Sequence, residues 1–203
     1  MIVIVNYGLG NIQAFVNIYN RLNIPARIVE TPEELATAEK IILPGVGAFD
    51  WAMSRLEASG MRDCLDGLVL RKKRPVLGVC VGMQMMAKRS DEGRLNGLSW
   101  IDAEVRRFNE SAFTQQTHLP HMGWNDVIPR DVSSLFKGID SPRFYFLHSY
   151  YFAPANPEDI LAETDYNGHF PSAVRSGNVF GTQFHPEKSH GWGIQLLKNF
   201  AEL

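Results

Sequence analysis

Hydrophobic residues fall in short unbroken runs through the first part of the chain. Ile2 to Val5 is a continuous β-branched run, the pattern of a strand buried on both faces. Gly8-Leu9-Gly10-Asn11 punctuates it, and Asn11 is placed to cap a helix reaching about Leu22. Ala26 to Val29 predicts a second strand. Thr31-Pro32-Glu33-Glu34 then reads as a helix start, with proline at the first helical position and acids in the first turn. Ile41-Ile42-Leu43 predicts a third strand, stopped by Pro44-Gly45-Val46-Gly47. Helical stretches at Asp50 to Ser59 and Met61 to Arg71 lead to a fourth strand, Val76 to Val79, and a helix from Met83 to Lys88.

The second half reads differently. Trp100 to Phe108 alternates in part, and Phe144 to Phe152 and Val179 to Phe184 are aromatic-rich strands with short connections. These predict a mixed or antiparallel extension of the sheet, closed by a helix from Gly193 to Phe200. The whole pattern predicts an α/β fold, a mostly parallel, mixed central sheet with helices on both faces. No repeat, low-complexity tract or linker divides the chain, so residues 1–203 are expected to form one domain.

Composition agrees. A chain of 203 residues with 45% hydrophobic and 21% charged residues can build a core without disulfides or metal clips. A formal charge of −2 excludes bulk attraction to nucleic acid or anionic membrane. Arg71-Lys72-Lys73-Arg74 closes a predicted helix, where cations suit the dipole and solvent better than a nucleic-acid surface. The N-terminus has no signal-peptide pattern and no apolar run approaches membrane-spanning length, so a cytoplasmic protein is expected. There a free, functional thiol is plausible.

Of two cysteines, Cys80 carries the chemistry. Gly78-Val79-Cys80-Val81-Gly82 joins a buried strand to a helix, the pattern of a nucleophile elbow with Cys in place of Ser. Glycines are needed where a sharp turn leaves no room for a Cβ. The turn exposes the nucleophile at the sheet edge beside a helix N-terminus, which favours thiolate. The Val81 N–H is placed to stabilise a developing oxyanion. A lone cysteine is more often a small core residue; Cys64, among Met61, Leu65 and Leu68 at helical spacing, fits that reading.

A cysteine acyl-transfer enzyme needs a histidine to manage protons and a third group to orient it. His185-Pro186-Glu187 ends a predicted strand, proline keeps His185 extended, and residues two apart share a face. Glu187 can then orient the imidazole. The tripeptide alone reads equally well as a surface turn; its pairing with the elbow decides. His118 and His121 lack partners at metal-ligand spacing, His148 lies in an aromatic strand core, and His169 and His190 read as solvated loop positions.

Gly78-Val79-Cys80-Val81-Gly82-Met83-Gln84 together with Gln183-Phe184-His185-Pro186-Glu187 resembles the class I glutamine amidotransferases, whose domain is flavodoxin-like. The resemblance implies a Cys80–His185–Glu187 triad that hydrolyses the glutamine side-chain amide through a thioester. Asn6 to Asn11, Leu43 to Phe49, Pro120 to Asn125 and Tyr145 to Tyr150 narrow it further, almost end to end. They resemble the glutaminase subunits of imidazole glycerol phosphate synthases, which pass ammonia to a (β/α)8-barrel cyclase in histidine biosynthesis. Activity that is low alone and raised by the cyclase and its ligand is implied with it.

Carried over by position, the resemblance makes Val46 and Gly47 the second wall of an oxyanion hole whose first donor is Val81. Gly47, Gln84, Ser149 and Tyr150 would hold glutamine, and Asn11, Trp124, Asn125, Tyr145 and Lys188 would face the cyclase. No metal or organic cofactor, nucleic acid or membrane is implied. The family usually has Asp at Asn6 and Leu at Met85 and Met86. Lys188 to Gly193 also resembles paralogues that supply ammonia for amidino groups on sugars. Rival classes are a free-standing cysteine hydrolase and a scaffold protein that lost activity; Met83-Gln84, the His-Pro-Glu order and the intact triad types weigh against them.

Overall fold

The computed structural model describes residues 1–114 and 117–203. The strands of the first half are β1 (Ile2–Val5), β2 (Ala26–Val29), β3 (Lys40–Gly45), β4 (Val76–Cys80), β5 (Arg89–Ser90) and β6 (Ala103–Arg107). They are followed by β7 (His121–Asp126), β8 (Ile128–Pro129), β9 (Arg143–His148), β10 (Tyr150–Pro154), β11 (Ile160–Asp165), β12 (His169–Ser176) and β13 (Val179–Thr182). The helices are α1 (Ile12–Arg21), α2 (Pro32–Leu35), α3 (Phe49–Ala58), α4 (Arg62–Asp66), α5 (Val81–Gln84) and α6 (His190–Glu202).

The main sheet has the order β2-β1-β3-β4-β13-β12-β11-β8. From β2 to β13 neighbours run parallel; β12, β11 and β8 add an antiparallel edge. β1, β4 and β13 are buried at every position, as apolar runs covered on both sides require. α1 and α6 pack together, with Tyr19 Oη donating to the Leu197 carbonyl at 3.1 Å, while α3 packs on α5 and α2 on α4. A second sheet, β10-β6-β5, and a two-stranded ribbon, β7-β9, stand beside the main one.

Several expectations are corrected. The strand expected to end before Pro44 continues to Gly45, paired with β4; the Pro44 carbonyl meets the buried Tyr7 hydroxyl, which donates at 2.6 Å. The helix expected over Met83–Lys88 is the single turn α5, beginning at Val81. It stops because the Met86 and Ala87 N–H groups bond one residue closer, to Met83 and Gln84, and the Lys88 N–H donates to the Ala103 carbonyl instead. The stretch Met61–Arg71 is α4 followed by a π-helical turn, Gly67–Arg71, with all four basic residues of 71–74 exposed. Phe144–Phe152 is two strands, β9 and β10, parted at Ser149 into different sheets. Asn11 occupies the N-cap position of α1 without a side-chain hydrogen bond.

The carboxyl ends of β3, β4 and β13 lie side by side, with Gly45 opposite Cys80 and Val79 opposite Thr182. Ligand sites of open α/β sheets form at such strand ends.

Candidate active site

Cys80 joins β4 to α5 with φ 56° and ψ −113°, a conformation that L residues rarely adopt outside functional turns. The glycines make that turn possible. A Cβ on Gly82 would overlap the Leu43 carbonyl oxygen, and one on Gly78 would lie 2.8 Å from Met83 Cα. Gly45 serves the same close approach, its absent Cβ making room for the Gly82 backbone, rather than supplying conformational freedom. Gly47, at φ +85°, does supply that freedom.

His185 continues from β13 and is only 2% exposed; Cys80 is 4% exposed. His185 Nδ1 donates to Glu187 Oε1 at 2.8 Å, which leaves Nε2 free to act on Cys80, the group that with Glu187 governs the charge on the imidazole. Burial works against a charged imidazole, yet the hydrogen bonds to Cys80 and Glu187 and their charges outweigh it and raise the His185 pKa well above its ordinary range. Glu187 Oε2 is buried and has no hydrogen-bond partner among the described residues. Around the sulfur, the Leu147 carbonyl and Gln183 Nε2 each stand 3.8 Å away.

Cys80 and His185 open onto a cavity of about 340 Å³. Val46, Gly47, Val81, Gln84, Ser149 and Tyr150 all line it, as does Lys188 at its edge. Gln84 donates through Nε2 to the Tyr150 carbonyl at 3.3 Å, so Oε1 is the atom it can offer a ligand. Glu92 and Leu147 line the same cavity and carry no site role in the sequence reading, and His148, read there as part of an aromatic strand core, lines it too. Glu92 is held by accepting the Phe49 N–H at 2.9 Å. In sequence it reads as part of a polar turn, with no spacing signal to mark it.

The ribbon sorts its side chains by register. Met122 faces Leu147 and Trp124 faces Tyr145 on one side, while His121 and His148 pair on the other. Met122, Trp124 and Leu147 are exposed apolar residues. The Lys188 ammonium lies 6.0 Å from the Tyr145 ring centre, and Trp124 stacks on His190 at 5.3 Å. His190 thus opens α6 packed on an indole rather than free in a loop, and His169 begins β12. Asn125 faces inward, its amide shared between His121 and the Asp165 carbonyl. Asn11 is exposed. Asn6 donates to Glu30 at 2.6 Å, a contact in which Asp would set two carboxylates together.

The family model for class-I glutamine amidotransferase matches residues 3–203. The chain is 57% identical to the Bdellovibrio bacteriovorus protein named imidazole glycerol phosphate synthase subunit HisH, covering all of both chains. It is 50% identical to the Leptospira interrogans protein of that name and 48% identical to Pseudomonas aeruginosa subunit HisH 2, again over the full length of each. Its fold resembles a crystal structure of a glutamine amidotransferase, with TM-score 0.73 and 24% identity over 98% of this chain and 97% of that one. It also resembles the structure of PurLQS from Thermotoga maritima, with TM-score 0.71 and 16% identity over 99% of this chain and 96% of that one. Among the described residues, no helix is long and apolar enough to cross a membrane. With a family match spanning almost every residue and a cysteine elbow at the head of the sheet, the chain belongs to the class-I glutamine amidotransferase family and is a glutamine amidotransferase.

Proposed function

We propose that the chain is one glutaminase domain of an imidazole glycerol phosphate synthase, with Cys80 as nucleophile, His185 as acid and base, and Glu187 as orienter. The observation that supports this most is the buried line Cys80–His185–Glu187 at the floor of a cavity large enough for an amino acid. Glutamine enters with its amide at Cys80 and its α-ammonium toward Glu92, and Gln84 Oε1 and the Ser149–Tyr150 backbone fix the rest. The sulfur attacks the amide carbon, and the carbonyl oxygen takes the electron pair. The Val81 N–H, at the unsatisfied first turn of α5, and the Val46–Gly47 segment receive that charge. Protonated His185 gives its proton to the leaving nitrogen, the C–N bond breaks, and ammonia departs from a thioester. Neutral His185 then takes a proton from water, whose oxygen attacks the thioester, and glutamate leaves with the thiolate restored.

Ammonia passes to a (β/α)8-barrel cyclase seated on the ribbon face of Met122, Trp124, Tyr145 and Leu147, with Lys188 and Asn11 at its margin. Exposed aromatic and apolar residues of this kind anchor protein interfaces. The test is co-purification with the barrel cyclase, together with complementation of a histidine-requiring strain that lacks the glutaminase. Restored growth, lost in Cys80→Ala, supports the reading. Co-purification with a barrel but no rescue would assign the ammonia to another acceptor, such as an amidino sugar, and overturn the histidine assignment.

A further inference from the structure

Gln183 is fully buried and has no part in the triad, the oxyanion hole or the glutamine contacts. It precedes His185 by two positions, on the bend that follows β13, and both side chains reach Cys80. Phe184 between them stacks on Phe144 at 4.0 Å, which holds the segment in place. Gln183 Nε2 lies 3.8 Å from Cys80 Sγ, and its Oε1 accepts from Gln84 Nε2 at 3.1 Å.

One backbone carbonyl fixes these orientations. The Tyr150 carbonyl can only accept, so Gln84 turns its nitrogen toward it. The same nitrogen meets Gln183, which must answer with its oxygen, and that turns the Gln183 nitrogen to the sulfur. In the other direction the Tyr150 carbonyl accepts His148 Nδ1–H at 2.8 Å, so His148 Nε2 accepts from His121 Nδ1 at 2.9 Å. His121 Nε2 in turn accepts from Asn125 Nδ2 at 3.2 Å. Burial holds His148 and His121 down to about 3 and about 4, so both rings are neutral near pH 7, as this pattern demands. No member can flip without setting two donors or two acceptors face to face.

We propose that Gln183 is the thiolate-stabilising donor of this site: its N–H bonds to Cys80 Sγ in the charged form, and the chain from Tyr150 through Gln84 holds it there. The sulfur sits between opposed neighbours. The Leu147 carbonyl, an acceptor, favours S–H, whereas the Gln183 N–H favours S⁻. The proposal rests on Cys80 being the nucleophile.

The test is the rate of iodoacetamide alkylation of Cys80 against pH, read on the Cys80 peptide, with glutamine turnover measured alongside in the complex with the barrel cyclase. Gln183→Met removes the donor. Gln183→Glu still accepts from Gln84 but offers the sulfur only oxygen. Both variants are expected to alkylate about tenfold more slowly near pH 7 and to approach the unsubstituted rate at high pH. Turnover number should fall at least tenfold, with KM within about threefold. Folded variants with an unchanged alkylation profile and turnover overturn the proposal. In the unsubstituted protein, the Gln183 side-chain amide protons should shift over the pH range in which Cys80 alkylation accelerates; amide protons indifferent to that change overturn it even if neither variant folds. If Cys80→Ser keeps glutaminase activity, the functional reading fails instead. A dead Cys80→Ser with normal Gln183 variants sinks only this inference.

Discussion

Replacing Glu187 by Gln isolates the charge at the back of the triad. The amide oxygen can still accept the His185 Nδ1–H, so the ring keeps its place while the carboxylate charge is lost. The two side chains are 3% and 2% exposed, so water screens the pair little and the 2.8 Å contact retains most of its strength. A hydrogen bond between charged groups contributes about 1.5–3 kcal/mol, and this bond matters most when His185 carries the proton destined for ammonia. The neutral bond that Gln retains contributes about 0.5–1.5 kcal/mol, so about 1–1.5 kcal/mol is lost from the transition state and the turnover number falls about 5- to 12-fold. KM should stay near its original value, because Glu187 does not line the cavity. The raised pKa of His185 loses one of its supports, so the high-pH limb of the turnover profile should move to lower pH. Glutamate release by the complex, followed against pH with saturating glutamine, reads all three effects. A turnover number within twofold of the unsubstituted enzyme, or a loss confined to KM, would refute the orienting role of Glu187.

Gly82→Ala places a Cβ against the Leu43 carbonyl, and overpacking of that kind costs about 1–3 kcal/mol, so a fall of several degrees in Tm is expected; an unchanged Tm would mean the elbow relaxes freely. His148 and His121 resist protonation in the folded state, so the unfolded chain binds more protons as pH drops from about 6.5 toward 4. Stability should fall by up to about 1.4 kcal/mol per pH unit for each histidine over that window. Urea midpoints read this, and His148→Gln should flatten the slope; an equal slope would contradict the neutral assignment. Trp124→Ala removes an exposed aromatic anchor and should weaken barrel binding by about 2 kcal/mol, roughly 30-fold in Kd by calorimetry. Unaltered affinity would place the interface elsewhere.

The central strands were legible because burial on both faces writes itself as unbroken apolar runs, Ile2–Val5 and Val76–Val79 above all. The ribbon strand β7 and the antiparallel strands β11 and β12 were not singled out, because half-exposed strands mix polar residues such as Asn125, Glu163 and Arg175 into the pattern. Phe144–Phe152 looked continuous because aromatic content says nothing of a chain switching sheets at Ser149. The expected Met83–Lys88 helix failed for a tertiary reason, the Lys88 N–H being taken by the Ala103 carbonyl of β6. Cys80, His185 and Glu187 were visible through local spacing at strand ends. Glu92 became visible only with the turns set around the cavity, and Gln183, part of the His185 motif in sequence, only through its contact with the Cys80 sulfur.

The nucleophile itself can be caught. Mixing the complex with glutamine, quenching within a single turnover in acid and mapping the peptides by mass should find a γ-glutamyl thioester on Cys80, absent from Cys80→Ser, which releases no glutamate. An adduct on another residue, or undiminished glutamate release by Cys80→Ala, would contradict the account.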